Sequence, residues 1–453
     1  MEMRKINSQS NELKPKGLSA ELFELAKKNV CISPDNYEKY NVKRGLRNND
    51  GTGVLVGLTV IGDVQSYVIK DGEKINIPGE LFYRGINVRE IVKGCISENR
   101  FGFEEVIYLL LFGELPTSTQ LEQFSDYLSN FRKLPENFVE DMILKAPSPD
   151  IMNKLARSVL ALYSYDDDPD NLSLENLLRQ SFELIARFPE IIAYAYMTKR
   201  HYYDGKSLLL HTSKQKLSIA ENFLRLVRPN KQYTEQEAKI LDLCLILHAE
   251  HGGGNNSTFA THVISSTGTD TYSSIAASIG SLKGSKHGGA NNRVMTMMDE
   301  IKSNVKDWDN EDEVSAYIAK IINKQACDKT GLVYGFGHAV YTLSDPRTEL
   351  LKGHAQKLAE ETGRESEYRL YDMIERITPK LFAEIKNQTK PLPANVDFYS
   401  GFIYSMLNIP QELYTPLFAM SRIVGWCAHR IEEVITSNRI IRPAYKNVSE
   451  TRK

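Results

Sequence analysis

Six of the nine histidines, His248, His251, His262, His287, His338 and His354, fall within about a quarter of the chain. Several stand among Gly, Asn and Ser, which let a backbone approach a ligand closely and supply polar contacts. In His248-Ala249-Glu250-His251 the two imidazoles are spaced i and i+3, which predicts one helix face, and Gly252-Gly253-Gly254 predicts the helix end. Such a pair suits a metal, a structural contact, or an anionic keto acid. The metal reading is incomplete, because zinc needs three or four ligands and the His-Glu-x-x-His pattern is absent.

Two further histidines sit in glycine-rich strings. Ser285-Lys286-His287-Gly288-Gly289-Ala290-Asn291 looks like the oxyanion loop of a lipase, yet no Gly-x-Ser-x-Gly elbow exists to supply a nucleophile. Taken alone, it reads as a helix N-terminus with an incidental histidine. Gly335-Phe336-Gly337-His338 fails as a dinucleotide fingerprint, since the third glycine is missing and no strand-then-helix unit surrounds it.

The elements that must position these residues are mostly helical. Val54-Leu55-Val56, Tyr67-Val68-Ile69, and Ile75 with Ile77 predict a few short strands, with Lys70-Asp71-Gly72-Glu73 as a turn. Helical periodicity then takes over, from Glu104 to Phe112 and again after Pro116, where Thr117 and Gln120 have capping-box spacing. Leu241 to Leu247 is apolar on nearly every side, as a buried helix should be, and Gln411 to Asn438 offers an apolar stripe of Leu413, Leu417, Met420, Val424, Ile431 and Ile435. The polar run 304–313 predicts a loop ahead of a helix starting near Val314.

A chain of 453 residues, 42% hydrophobic and 25% charged, is long enough for two or three folded domains. With 56 Lys+Arg against 58 Asp+Glu it has no cationic field for nucleic acid or anionic lipid, so any anion must be met by local arginines. The five cysteines, Cys31, Cys95, Cys244, Cys327 and Cys427, form no Cys-x-x-Cys pair and read as core thiols of a reducing compartment. The first seventeen residues lack the apolar stretch of a secretory signal, and Val106–Phe112 is far too short to span a bilayer. A cytoplasmic protein with no membrane partner is expected.

The thirteen-residue string Gly335 to Arg347 closely resembles the signature of the citrate synthase family. In family order the chain also carries His248 and His251, His287-Gly288-Gly289-Ala290-Asn291, Asn395-Val396-Asp397, Phe418-Ala419-Met420-Ser421-Arg422 and Arg439-Ile440-Ile441-Arg442-Pro443. The resemblance implies an all-α, two-domain fold with a few short N-terminal strands. Its parts would be an extension over 1–45, a large domain over 46–289 plus 408–453, and a small domain over 290–407 that closes on the substrates. It implies condensation of acetyl-CoA with oxaloacetate in the tricarboxylic acid cycle, with propionyl-CoA as the alternative acyl donor. His287, His338 and Asp397 would be catalytic. His251, His338, Arg347, Arg422 and Arg442 would hold oxaloacetate, Arg442 reaching in from the partner of a homodimer. Val333, Tyr334, Gly335, Phe336 and Gly337 would contact CoA. No metal and no cofactor beyond the acyl-CoA co-substrate is implied.

Elementary chemistry asks for the same residue types. A thioester methyl is a very weak acid, so a carboxylate deprotonates it only if a fixed donor meets the developing enolate oxygen. Two carboxylates on the other substrate are held best by guanidinium forks. The chain departs from the family at Thr342, where many members carry a basic residue for CoA phosphate, and at Gly252 and Asn292, where Glu or Gln is common.

Overall fold

A computed structural model describes residues 18–48, 50–71, 73–388, 391–437 and 439–449. The expectation about a leader over the first seventeen residues, and the turn glycine Gly72, lie outside the described residues. Two compact units are present, one joining 1–57 to 442–453 and the other running from Leu58 to Ile441. The smaller holds the helices Leu18–Asn29 and Asp35–Lys39 and an antiparallel bridge between Arg47 and Gly53. Val54–Val56, read above as a strand, is irregular there: Val54 N–H bonds the Leu46 carbonyl at 2.9 Å beside the Arg47–Gly53 bridge, but no ladder follows, and Leu55 is 83% exposed.

In the larger unit, strands β1 (Gly62–Lys70) and β2 (Glu73–Tyr83) form an antiparallel hairpin with Gly62 opposite Tyr83 and Lys70 opposite Glu73. A short β3 (Ile86–Asn87) pairs with the end of β2. Alternate residues of β2, Gly79, Leu81 and Tyr83, turn into the core, as a half-buried strand requires. The rest of the unit is helical. Thr117 and Gln120 close the expected capping box on the helix Ser118–Ser129.

The helix Tyr414–Thr436 runs through the centre, packed on Leu174–Asp204, Asn256–Ser265, Thr271–Lys283, Glu235–His248 and Phe103–Phe112. Neighbours on every side bury it all round from Tyr414 to Arg430, so the predicted single stripe understates it, while Ile435 is 54% exposed. A 3-10 turn over Gln411–Leu413 precedes it, and its predicted end at Asn438 lies outside the described residues. Glu235–His248 is buried on nearly every face, as expected. The polar run ends sooner than predicted: Asn310 accepts from the N–H groups of Asp312 and Glu313, so the next helix starts at Glu311.

Candidate active site

The helix Glu235–His248 stops three residues short of His251, so His248 and His251 do not share a helix face, and Gly252–Gly254 are not its cap. The early stop has a use. The last carbonyls of a helix lack intrahelical partners, and the carbonyl of His248 accepts a bond from Arg422 Nε at 2.7 Å. Arg422 is wholly buried, stands 4.8 Å over the ring of Phe418 one turn back, and keeps both terminal nitrogens buried without a hydrogen-bond partner. Burial brings its pKa down to about 10, which still leaves it charged at neutral pH. An unpaired buried guanidinium is costly unless an anion joins it.

Arg347 lies in the first turn of the helix Pro346–Thr362, which Asp345 caps and Pro346 opens. Asp345 accepts from Arg347 Nε at 3.0 Å and Nη2 at 2.7 Å, a buried fork that fixes the guanidinium. The ring of His251 stands 5.1 Å from that of His338, and its Nε2 is buried without a partner. Burial first, then the charge of Arg347, holds His251 well below the usual histidine pKa, so it is neutral. His338 stacks on Tyr341 at 4.7 Å, and its Nδ1 accepts from the N–H groups of Val340 and Tyr341, each at 3.0 Å. That arrangement puts the ring proton on Nε2.

His287 sits in the loop between the helices Thr271–Lys283 and Ala290–Asn304. Its Nε2 is 3.1 Å from both Ser257 Oγ and Asn255 Oδ1. Ser257 Oγ in turn accepts from the indole N–H of the buried Trp426 at 3.1 Å. Burial, helped by Arg422, lowers the His287 pKa to about 4, which makes the ring a neutral imidazole at working pH. Gly288 is obligatory beside it, because a Cβ there would stand 2.7 Å from the carbonyl of Leu282.

Asp397 opens the helix Val396–Met406, and the Asn395 side chain caps it by accepting from the Asp397 N–H at 3.1 Å. Asp397 Oδ1 is buried and has no partner. Burial pushes its pKa up to about 7, against the pull of Arg347 and Arg422. A base poised there suits proton abstraction at neutral pH. The same Asn395 donates from Nδ2 to the carbonyl of Gly337 at 2.9 Å, while Gly337 N–H bonds Pro393 and Asn395 N–H bonds Gly335. The segment 333–337 is thereby stitched to the lead-in of Asp397. Gly335 takes φ +83°, and a Cβ on it would meet Phe398 at 2.8 Å.

Reciprocal electrostatic effects tie Asp397, Arg347, Arg422, His251, His338 and His287 into one cluster. Arg442 belongs to the smaller unit, where it is exposed and irregular. The sequence strings contain Tyr341, Asn395 and Phe418 without giving them a role, and they omit Asn255 and Ser257. Phe418 carried one signal, its spacing of four from Arg422 on one helix; Asn395 carried another, the N-cap spacing to Asp397.

A family profile described as citrate synthase, C-terminal domain, matches residues 50–444. The chain belongs to the citrate synthase family. It is thus a transferase of the citrate synthase type. A citrate synthase of Haloferax volcanii is 34% identical over 90% of this chain and 96% of its own length. A 2-methylcitrate synthase of Shewanella oneidensis is 33% identical over 80% of this chain and 87% of its own. Among solved structures, the citrate synthase of Thermoplasma acidophilum, in a ternary complex with carboxymethyl coenzyme A and oxaloacetate, superposes with a TM-score of 0.73 at 28% identity, over 91% of this chain and 97% of that one. The mostly helical fold and its few strands are those of this family.

Proposed function

We propose that the protein condenses acetyl-CoA with oxaloacetate and water to give citrate and CoA, using His287, His338 and Asp397. The observation that carries this reading is the set of buried, unpartnered polar atoms on Arg422, His251 and Asp397. Two of these groups suit a dianionic keto acid and the third suits a base.

In this mechanism Asp397 removes a methyl proton while the neutral imidazole of His287 donates from Nδ1 to the carbonyl oxygen as it becomes an enolate. For Nδ1 to carry the proton, Nε2 must accept, which requires the Ser257 hydroxyl to turn to it from Asn255 Oδ1, 2.9 Å away, and the Asn255 amide to present its nitrogen to the ring. Arg347, Arg422 and His251 hold oxaloacetate with one face open. The enolate carbon attacks its keto carbon, and His338 donates its Nε2 proton to the keto oxygen. Water then cleaves the thioester, releasing CoA. Each such oxyanion donor lowers a barrier by about 2.7–4 kcal/mol.

The segment 333–337 receives the CoA adenine, residues 290–407 close over bound oxaloacetate before acyl-CoA enters, and Arg442 completes the site of a partner subunit in a homodimer. Closure keeps water from the enolate and the thioester until condensation is done. No cofactor is needed beyond the acyl-CoA. The 2-methylcitrate synthase relatives support propionyl-CoA as the second acyl donor to test; one methylene discriminates by only about 1–3 kcal/mol. Among the described residues no helix is long and apolar enough to cross a membrane, which supports the reading of a cytoplasmic enzyme. The deciding experiment measures oxaloacetate-dependent CoA release with acetyl-CoA and propionyl-CoA side by side. Faster release with acetyl-CoA is expected, and none with either refutes the reading.

A further inference from the structure

Next in sequence to His251, Glu250 is wholly buried, and its Oε1 lies 3.0 Å from His429 Nε2. The other nitrogen of that ring, Nδ1, faces His262 Nε2 at 3.2 Å and Glu432 Oε2 at 3.6 Å. His262 turns its own second nitrogen to Glu433 Oε2 at 2.8 Å. Glu432 Oε1 accepts the Val60 N–H at 2.8 Å, and its buried Oε2 has no partner closer than His429 Nδ1 at 3.6 Å. The side chains of His262, Glu432 and Glu433 are 12%, 10% and 11% exposed, and that of His429 is fully covered.

We infer that His262 Nε2, His429 Nδ1 and Glu432 Oε2 form a binding site for a divalent transition metal of the zinc type, separate from the catalytic residues. The three ligand atoms all lie within 4.8 Å of one another. A tetrahedral ion with bonds of about 2.0–2.1 Å holds its ligand atoms about 3.3–3.4 Å apart, close to the spacing of the two nitrogens. The two imidazoles come from different helices, Asn256–Ser265 and Tyr414–Thr436, and His429 and Glu432 share one face of the second at i and i+3.

The surroundings are those of a ligand set. Each imidazole has a carboxylate on its far nitrogen, Glu250 behind His429 and Glu433 behind His262, the arrangement that orients metal-binding histidines. Two imidazoles and one carboxylate suit zinc and its neighbours, whereas magnesium and calcium prefer all-oxygen shells. A fourth position falls to water. Gly253 borders the site, a Cβ there reaching ordinary contact with His262 Nε2 at 3.4 Å. Coordination replaces the proton between the facing nitrogens, which passes to solvent, so no other reactant is required. By pinning His429 against Glu250, the ion would also brace the loop that carries His251.

The test uses tag-free protein, stripped with a chelator, in a Cys31→Ser background so that the exposed thiol does not compete. Zinc is titrated by calorimetry, bound metal is counted by elemental analysis, and cobalt provides a visible spectrum. One ion per chain, a higher Tm with zinc, and an intense tetrahedral cobalt band are expected. His262→Gln and Glu432→Gln should each weaken binding by at least about 100-fold, and Glu433→Gln by about 10- to 100-fold. Glu432→Gln keeps the bond to Val60, so it remains decisive if His262→Gln fails to fold. Less than about 0.1 ion per wild-type chain, or undiminished binding in folded Glu432→Gln, overturns the inference. Oxaloacetate-dependent CoA release, measured on the same samples, is a separate readout of the catalytic proposal.

Discussion

Asp397→Asn should cost the enzyme its turnover and, at alkaline pH, make it more stable. A carboxyl whose folded pKa is raised binds its proton more tightly in the native than in the unfolded state. Native stability therefore falls as pH rises from about 4, where the unfolded group titrates, to about 7, where the folded one does. That interval of roughly 3 units corresponds to a ceiling of about 4 kcal/mol at pH 8. The asparagine amide carries a donor that needs an acceptor, which takes back about 1 kcal/mol or more, so a net gain of about 1–3 kcal/mol is expected. For a chain of 453 residues, about 2.1 cal/mol/K per residue converts this to a Tm rise of about 1–3 °C at pH 8. Near pH 4 the linkage gain is gone and only the cost of the amide donor remains, so the variant should be about 1 kcal/mol less stable than the wild type there. Differential scanning at the two pH values reads this, and steady-state kinetics should show kcat down by about 100- to 10,000-fold with oxaloacetate binding retained. In the wild type, kcat/KM should fall on the acid side with a midpoint near 7. A variant less stable than wild type at pH 8, or one with near-normal kcat, refutes the reasoning that a desolvated carboxylate is the base.

His287→Ala should lower kcat by about 100- to 1,000-fold with a smaller change in KM for oxaloacetate, and a loss confined to KM would remove it from the chemistry. Gly335→Ala combines a left-handed backbone with a clash against Phe398; a loss of about 2–4 kcal/mol of stability and a higher KM for acyl-CoA are expected, and unchanged thermal melting would refute the clash. Mixing inactive Asp397→Ala and Arg442→Ala subunits should restore about a quarter of wild-type activity, because half the dimers become mixed and each then has one intact site. No recovery after demonstrated exchange refutes the shared site.

Elements with strong local codes were legible in the sequence. Thr117 and Gln120 announced their cap, Asp71 and its flanks announced the hairpin, and the run Leu241–Leu247, apolar but for Asp242, announced a buried helix segment. Where tertiary contacts decide, local reading failed. His248 and His251 looked like helix neighbours, but the chain leaves the helix at His248 so that a carbonyl can meet Arg422. Val54–Val56 has strand residues and no strand beside it to pair with. The strings around His287, His338 and Asp397 were readable as a set, whereas Ser257 and Asn255 were not, because only folding brings them to His287 across thirty residues and more.

The stitching of 333–337 to 393–395 has an evolutionary corollary. Bonds from Gly337 N–H to Pro393 and from Asn395 N–H to Gly335, with Phe336 paired to Ala394, set a register. Because these are backbone bonds, the register itself does not depend on the side chains, Gly335 and Asn395 excepted. A single inserted or deleted residue between Pro393 and Val396 would break these bonds or shift the start of the Asp397 helix by about 3.3 Å relative to the facing segment. Length is therefore constrained here independently of residue type, and insertions or deletions are expected elsewhere in the chain.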